Sequence, residues 1–278
     1  MLDFWQWYDR ARSGRTAELD WLILALTPLT KLDLRLRSPR FADYDWQYLD
    51  QLWQRHVQEG IPVQYLAGQT LWRDLLLTVN EAVLIPRPET ELIIEIVAAS
   101  TEPQGVWCDL GTGSGAIAIA LARTFPAITV LAVDISEAAL QVAQANIDRY
   151  GLGERVKCVQ GSWFSSLTPG LAGMVSNPPY IPSDMIPTLA REVQREPRLA
   201  LDGGADGLQA IRHLVAAGKT YLKEGGFWLV EVMAGASGAS STEQAQTVAD
   251  MLQQNDYRSV TIHKDWQGND RFVSGFVG

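Results

Sequence analysis

Short apolar segments alternate with helical segments throughout the chain after Gly105, and this alternation restricts the fold more than any other feature. Strands that alternate with helices form a mostly parallel sheet with helices on both faces. We therefore predict an open α/β sheet. The predicted strands are residues 106–110, 129–133, 156–160, 172–176 and 226–232, and the predicted helices are residues 116–124, 137–150, 208–222 and 244–254.

Two more strand-like segments end the chain, at residues 258–264 and 271–276, and they predict a hairpin-like pair. Five strands and these two give a predicted sheet of seven strands. Residues 233–242 lie between the fifth strand and the last helix and are rich in Ala, Ser and Gly. This low complexity predicts a mobile surface loop.

The first 60 residues show helical spacing and no strong strand signal, which predicts a small bundle of four or five short helices. The segments on either side of Arg73 and Asp74 predict a β-hairpin. We therefore divide the chain into a helical domain at residues 1–65, a hairpin linker at residues 66–85 and an α/β domain at residues 86–278.

Acidic residues outnumber basic residues by 32 to 23, so the formal net charge is −9. Proteins that bind long nucleic acids usually present a basic face, because neutralisation of phosphates supplies much of the affinity. The acidic balance therefore favours a protein or a small molecule as the substrate over DNA or RNA.

The two cysteines, Cys108 and Cys158, lie in apolar segments, and the three histidines are scattered along the chain. These residues form no metal-ligating pattern, so we predict no metal site. The apolar segments are too short to span a bilayer, and no secretory signal is visible. We therefore expect a cytoplasmic protein that makes no contact with a membrane.

A glycine-rich loop follows the first predicted strand and contains Gly111, Thr112, Gly113, Ser114 and Gly115. Glycines here let the backbone approach a ligand closely, and the following helix adds N–H donors. The pattern differs from the dinucleotide fingerprint, because the third glycine comes one position early. Asp109 precedes the loop, and its carboxylate suits a ligand with an amino group and positive charge better than a pyrophosphate.

Asp134 ends the second predicted strand, 23 residues after Gly111. A carboxylate at this place can accept hydrogen bonds from both hydroxyls of a ribose, although its spacing before the next helix is also typical of a cap. A ribose-binding acid, a glycine loop and an acid before that loop together predict S-adenosylmethionine as the cofactor. Ile135 and Trp163 would lie beside the adenosine, and core packing of Trp163 is the alternative.

Asn177, Pro178, Pro179 and Tyr180 follow the fourth predicted strand, beyond whose carboxyl end ligands bind in open α/β sheets. The prolines hold the backbone of Asn177 extended, so its amide has a fixed direction with backbone carbonyls beside it. Such acceptors can bind a planar NH2 group, and Tyr180 can cover its flat face. The alternative is an ordinary proline-rich turn.

These features resemble the protein-(glutamine-N5) methyltransferases that modify peptide chain release factors. The glycine loop and the motif at residues 177–180 are shared with many adenine-N6 methyltransferases, whereas residues 84–91 are more specific. Two features differ from the family, namely Arg195 and the long segment at residues 233–242. The resemblance implies a Rossmann-like, seven-stranded S-adenosylmethionine-dependent methyltransferase sheet. The segments that carry it are residues 62–68, 84–91, 109–115, 176–181, 196–197 and 206–208.

The resemblance further implies methyl transfer from S-adenosylmethionine to the side-chain nitrogen (N5) of the glutamine in the Gly-Gly-Gln motif of release factors. The helical domain would help to dock the release factor, and Arg87 and Glu89 would contact it. We expect the Asn177 side-chain oxygen and the Pro178 carbonyl to accept hydrogen bonds from the target NH2, with Pro179 beside it and Tyr180 on the amide plane. The catalytic residues would thus be Asn177, Pro178 and Tyr180. Nothing in the sequence demands more than a monomer.

Two other functions fit parts of the sequence. An adenine-N6 methyltransferase acting on DNA or RNA would bind the same planar NH2 on a flipped base, but the acidic balance argues against it. A non-catalytic scaffold would bind a translation partner through the helical domain, but the intact glycine loop, Asp134 and Asn177 argue against that function.

Overall fold

The computed structural model of the protein describes residues 3–12, 14–234 and 240–278. Helices form the N-terminal bundle, as the spacing of its apolar residues predicts. They are α1 (Phe4–Ala11), α2 (Thr16–Leu26), α3 (Lys31–Leu36), α4 (Gln47–Glu59) and α5 (Val63–Ala67), with a 3-10 turn at Pro39–Phe41.

Local signals in the sequence set the ends of the bundle helices. Asp3 and Thr30 each accept a hydrogen bond from the backbone of the third helical residue, and that residue's side chain bonds back, so α1 and α3 both begin with a capping box. Helices α4 and α5 end at Gly60 and Gly68, which adopt the left-handed conformation that glycine tolerates best. Phe4 and other fully buried side chains form a separate core for the bundle.

A hairpin connects the bundle to the rest of the chain. Strands β1 (Gln69–Trp72) and β2 (Leu75–Thr78) pair antiparallel around Arg73 and Asp74, as predicted. A 3-10 turn at Glu89–Glu91 then leads into α6 (Leu92–Ser100). The indole N–H of Trp72 donates to the Arg87 carbonyl over 2.7 Å, so the hairpin also supports the segment before α6.

The remainder of the chain forms the predicted seven-stranded sheet, with strand order β5-β4-β3-β6-β7-β9-β8. Neighbouring strands are parallel except around β9, which is antiparallel to both β7 and β8. The strands are β3 (Gly105–Leu110), β4 (Ile128–Asp134), β5 (Val156–Gln160), β6 (Leu171–Ser176), β7 (Leu222–Glu231), β8 (Tyr257–Lys264) and β9 (Asp270–Val277).

Helices cover both faces of this sheet, as a mostly parallel sheet requires. One apolar core contains residues of α6 and α7, and the other contains residues of α10 and α11. The helices are α7 (Ala116–Thr124), α8 (Glu137–Arg149), α9 (Arg198–Leu201), α10 (Gln209–Tyr221) and α11 (Ser240–Gln254).

Two predicted boundaries are wrong by more than one residue. Strand β7 begins at Leu222 instead of residue 226, because Leu222 pairs with Leu171 across a register shift that a sequence pattern does not reveal. Helix α11 begins at Ser240, inside the predicted loop at residues 233–242. Residues 235–239 of that loop lie outside the described residues.

The chain reverses its direction of travel across the sheet between β3 and β6. Strands β4 and β5 extend one edge outward from β3, and the chain then returns to place β6 on the other side of β3. Ligands of open α/β sheets bind at such a reversal, beyond the carboxyl ends of the strands. The pairing here is close: a Cβ on Gly173 of β6 would lie 2.7 Å from ring atoms of Trp107 of β3.

Candidate active site

The glycine loop leaves β3 at the carboxyl edge of the sheet. Gly111, Gly113 and Gly115 all have positive φ angles, which L side chains rarely adopt. The N–H groups of Gly111 and Thr112 both donate to the Val133 carbonyl over 2.9 Å, which fixes the loop against the end of β4. The loop can therefore bring backbone atoms close to a ligand without a change of conformation.

Asp109 lies beneath this loop and is fully buried. Its Oδ2 accepts hydrogen bonds from the Thr112 hydroxyl over 2.6 Å and from the Ala118 N–H over 3.2 Å. Burial raises the pKa of Asp109 to about 7, and the nearby Asp134 charge acts in the same direction. The other oxygen, Oδ1, is buried and has no partner among the described residues, so it remains able to accept a hydrogen bond from a positively charged ligand group.

Asp134 connects the loop to the next helix through both of its carboxylate oxygens. Oδ2 accepts from the Gly113 N–H and Oδ1 from the Ser136 N–H, each over 2.9 Å. The side-chain cap of α8 is instead Ser136, whose hydroxyl accepts from the Ala139 N–H. Each carboxylate oxygen can accept a second hydrogen bond, so Asp134 can hold the loop and bind the hydroxyls of a ribose at the same time.

Trp163 and Ile135 line the same cavity as this carboxylate. The Trp163 ring packs over the loop and would lie 3.6 Å from a Cβ on Gly111. Its φ of 52° is unusual for a bulky residue and turns the ring toward the cavity that the loop borders. Ile135 is 52 % exposed and lines the same cavity. The two side chains therefore provide apolar surfaces suited to a flat base.

Asn177 lies on the opposite side of the loop, directly after β6, and has a fixed set of partners. Its Nδ2 donates to the Thr90 hydroxyl over 3.1 Å, and that hydroxyl donates to Glu231 Oε2 over 2.7 Å. The Tyr180 hydroxyl donates to the other oxygen, Oε1, over 3.2 Å. Asn177, Thr90, Glu231 and Tyr180 form one network, which we call the Asn177 network.

Electrostatics in the Asn177 network are dominated by burial. Glu231 is fully buried, which raises its pKa to about 7, while the Thr90 hydrogen bond and the Arg271 charge lower it. Burial and the neighbouring Glu231 raise the pKa of the Tyr180 hydroxyl, so that it remains protonated and can donate. Neither hydroxyl in the network is therefore a strong base at neutral pH.

Only two of the four residues in the motif at 177–180 face the cavity. Asn177 and Pro179 line the cavity, whereas Pro178 and Tyr180 do not. Tyr180 is held from behind, because the buried Gln244 donates from Nε2 to the Tyr180 carbonyl over 3.2 Å and accepts from the Met233 N–H over 2.6 Å. The predicted contacts of the Pro178 carbonyl and of the Tyr180 ring with a target amide stay predictions.

The glycine loop, Asp134 and Asn177 border one cavity of about 640 Å³, within the usual range of small-molecule sites. It extends along the carboxyl edge of the sheet from the end of β5 to the end of β6. The residues predicted for the cofactor that line it are Gly111, Thr112, Gly113, Ser114, Asp134, Ile135, Trp163 and Asn177. Asp109 and Gly115 lie behind this lining.

Arg87 and Glu89, predicted to contact the substrate, do not line this cavity. Arg87 instead forms an ion pair of 2.6 Å with the buried Glu196, whose other oxygen accepts from the Ile85 N–H. Arg87 also lines a smaller cleft of about 260 Å³ that includes His56 of the bundle. Substrate contact by Arg87 or Glu89 stays a prediction.

Several residues of the site were missed by the reasoning from sequence. From the sequence, Thr90 is distinguished only as part of the specific segment at residues 84–91, and Glu231 only as a residue of the predicted strand at residues 226–232. Pro197 and Leu199 also line the cavity, from the segment that follows the motif. An apolar strand that ends in a carboxylate, as β7 does at Glu231, is the one signal that could have identified a buried acid.

Neither a metal cluster nor a membrane span is found in the described part of the chain. No group of His, Cys, Asp or Glu among the described residues could hold a metal ion. No helix among them is both long and apolar enough to cross a bilayer.

Comparison with known proteins finds one matching family model and curated relatives that match over most of their length. Residues 88–204 match the family model of the methyltransferase small domain. The chain is 45% identical to the release factor glutamine methyltransferase of Synechocystis sp., over 98% of this chain and 95% of that protein. It is 47% identical to the protein of the same name from Gloeobacter violaceus, over 92% and 89% of the two chains.

Solved structures show the same fold at low sequence identity. A methyltransferase from Pyrococcus furiosus aligns with a TM-score of 0.54 at 17% identity, covering 83% of this chain and 95% of that one. The hMettl16 catalytic domain in complex with the MAT2A 3′UTR hairpin 1 aligns with a TM-score of 0.57 at 13% identity, covering 97% and 94%. These likenesses support the Rossmann-like sheet that the sequence predicts.

Proposed function

Because this chain belongs to the release factor glutamine methyltransferase family, we propose that it methylates the N5 nitrogen of the glutamine in the Gly-Gly-Gln motif of peptide chain release factors. It is an S-adenosylmethionine-dependent methyltransferase. The observation that carries the proposal is the fixed Asn177 carboxamide on the same cavity as the glycine loop and Asp134.

The order of residues along the cavity suits the successive parts of the cofactor. Asp134 would accept the ribose hydroxyls at the end of β4, and the apolar sides of Trp163 and Ile135 would hold the adenine toward β5. The glycine loop would approach the methionine portion, and the unpartnered Oδ1 of Asp109 suits a nearby amino group. S-adenosylmethionine supplies an electrophilic methyl group on a sulfonium, which this order of elements would direct toward β6 and Asn177.

The chemical difficulty lies in the target. An amide nitrogen is a poor nucleophile because its lone pair is delocalised into the carbonyl. Asn177 Oδ1 and the Pro178 carbonyl would accept hydrogen bonds from the two N–H bonds of the target NH2. These acceptors would hold the nitrogen in line with the methyl carbon and stabilise the positive charge that develops on it.

The step balances without a metal or an oxidant. A nitrogen–carbon bond forms, the carbon–sulfur bond breaks with its electron pair going to sulfur, and the nitrogen then loses one proton to water. Positioning of this kind can contribute about 7 to 11 kcal/mol to lowering a barrier. We therefore assign most of the rate to geometry and electrostatics and none to a strong base.

The helical bundle is proposed to dock the release factor, because it borders the segment that follows Asn177. Arg15 of the bundle pairs with Glu192 over 2.6 Å, and the Arg191 and Arg195 side chains donate to the carbonyls of Gln58 and Glu59. A protein held by the bundle would thus be fixed relative to the cavity. We further propose that the protein acts in the cytoplasm, as a monomer and without a nucleic-acid substrate.

The adenine-N6 alternative is not favoured, because the curated relatives are named as release factor glutamine methyltransferases. The likeness to hMettl16 shows the fold alone.

Mass spectrometry of a release factor incubated with the enzyme and S-adenosylmethionine tests the proposal. We expect one added methyl group, located on the glutamine of the Gly-Gly-Gln motif, and none on a release factor in which that glutamine is replaced. Parallel incubations with DNA and RNA and a labelled cofactor should remain unlabelled. Labelled nucleic acid with an unmodified release factor would reject the proposed function.

A further inference from the structure

A chain of polar side chains extends from Asn177 through Thr90, which lines the same cavity, to the buried Glu231. Asn177 Nδ2 donates to Thr90 Oγ1 over 3.1 Å, and Thr90 Oγ1 donates to Glu231 Oε2 over 2.7 Å. Thr90 is 3 % exposed and Glu231 is fully buried. Solvent therefore has almost no access to the bond between them, and their hydrogen-bonding groups must satisfy one another.

The protons available to this chain fix its direction. A threonine hydroxyl has one proton and two lone pairs, and an ionised carboxylate can only accept. While Glu231 is ionised it accepts the one proton of Thr90, so Thr90 can then offer Asn177 only a lone pair. The end of the Asn177 amide that faces Thr90 must then be its NH2 group. The reverse orientation would place two acceptor oxygens in contact with no proton between them.

We propose that Thr90 is a positioning residue that sets the orientation of the Asn177 carboxamide, so that its oxygen and not its nitrogen meets the target amide. This inference rests on the proposed function, in which that oxygen accepts a hydrogen bond from the glutamine NH2. If the Asn177 carboxamide were turned over, its NH2 group would face the NH2 group of the target glutamine, and no hydrogen bond could form between them. Glu231 supports both ends of the motif, because its second oxygen accepts from the Tyr180 hydroxyl.

Thr90 is itself held in place by the segment before α6. Its N–H donates to the Arg87 carbonyl over 3.2 Å, and the same carbonyl accepts from the Trp72 indole over 2.7 Å. The Arg87 side chain is paired with the buried Glu196. The hydroxyl is therefore preorganised before any substrate binds, as a group that orients a catalytic side chain needs to be.

Turnover of a release factor by the full-length enzyme tests the role of Thr90. Thr90→Val removes the hydroxyl at nearly constant shape, and Thr90→Ser keeps it. We expect Thr90→Val to lower kcat about 10- to 100-fold, since misplacement of a reacting group costs that much, and Thr90→Ser to restore most of the rate. Cofactor affinity, measured by calorimetry, should change by less than about three-fold in both variants.

The matched control is Thr70→Val in β1, which changes an equally buried threonine that does not line the cavity. It should leave kcat near the wild-type value. If Thr90→Val does not fold, Thr90→Cys makes the same test, because a thiol is a weaker hydrogen-bonding group than a hydroxyl.

A double-mutant comparison separates positioning from general stability. If Thr90 acts through Asn177, Thr90→Val should cause less than about two-fold further loss of kcat in an Asn177→Ala background. A merely structural role would lower kcat equally in both backgrounds. That result, or a Thr90→Val enzyme within about two-fold of wild type, would overturn the inference. An inactive wild-type enzyme would reject the proposed function instead.

Discussion

Replacement of Asp134 by alanine should weaken binding of S-adenosylmethionine strongly. Both Asp134 oxygens already accept one backbone N–H, and each can accept one ribose hydroxyl in addition. A hydrogen bond to a charged group contributes about 1.5 to 3 kcal/mol. Two such bonds at the lower value give about 3 kcal/mol, which is about a 150-fold increase in Kd. Isothermal titration calorimetry with S-adenosylmethionine or S-adenosylhomocysteine measures this change directly.

The ribose contact must be separated from support of the glycine loop, since Asp134 also holds Gly113. A 2′-deoxy analogue of S-adenosylhomocysteine should bind the wild-type enzyme about ten-fold more weakly than the parent compound does. The Asp134→Ala variant should bind the analogue and the parent compound with equal affinity. Asp148→Ala is the control, because Asp148 is an exposed carboxylate in α8 that does not line the cavity. Unchanged affinity in Asp134→Ala, or an equal loss with the deoxy analogue in both proteins, would refute the ribose contact.

Two further predictions concern buried charges. The pKa of Glu231 is raised from 4.5 to about 7, so the folded state binds its proton more tightly than the unfolded state, and this contribution to stability is lost as pH rises through that interval. As the pH rises from about 4 to about 8, the free energy of unfolding of Glu231→Gln, measured in urea, should therefore improve by about 3 kcal/mol relative to wild type. The groups that act on Glu231 are Thr90, Tyr180, Glu89 and Arg271. Parallel pH curves for the two proteins would contradict this prediction. Arg87→Ala leaves the buried Glu196 without its ion-pair partner and should lower the free energy of unfolding by about 3 kcal/mol, the lower end of the range for a broken buried pair, because Arg87 is partly exposed. Unchanged stability with a raised KM would support substrate contact by Arg87 instead.

Much of the fold could be predicted because its signals are local. The alternation after Gly105, the glycine loop and Asp134 each depend on neighbouring residues, and the carboxyl ends of parallel strands must meet at one edge. The start of β7 could not be predicted, since it depends on a register shift opposite Leu171.

The Asn177 network lies beyond such reasoning for a physical reason. Thr90 and Glu231 are separated by 141 positions and meet only because α6 packs beside the end of β7. Likewise, the sequence predicts that all four residues of the motif contact the target amide, whereas the backbone turns Asn177 and Pro179 to the cavity and Tyr180 away from its lining. The direction of a side chain after a proline is set by partners that the local sequence does not contain.

The most direct test of the central claim is methyl transfer by Asn177→Ala, measured together with its cofactor affinity. If the Asn177 oxygen holds the target amide, kcat on a release factor should fall by about 100-fold or more, while the Kd for S-adenosylmethionine changes by less than about three-fold. Near-normal turnover by this variant would contradict the account.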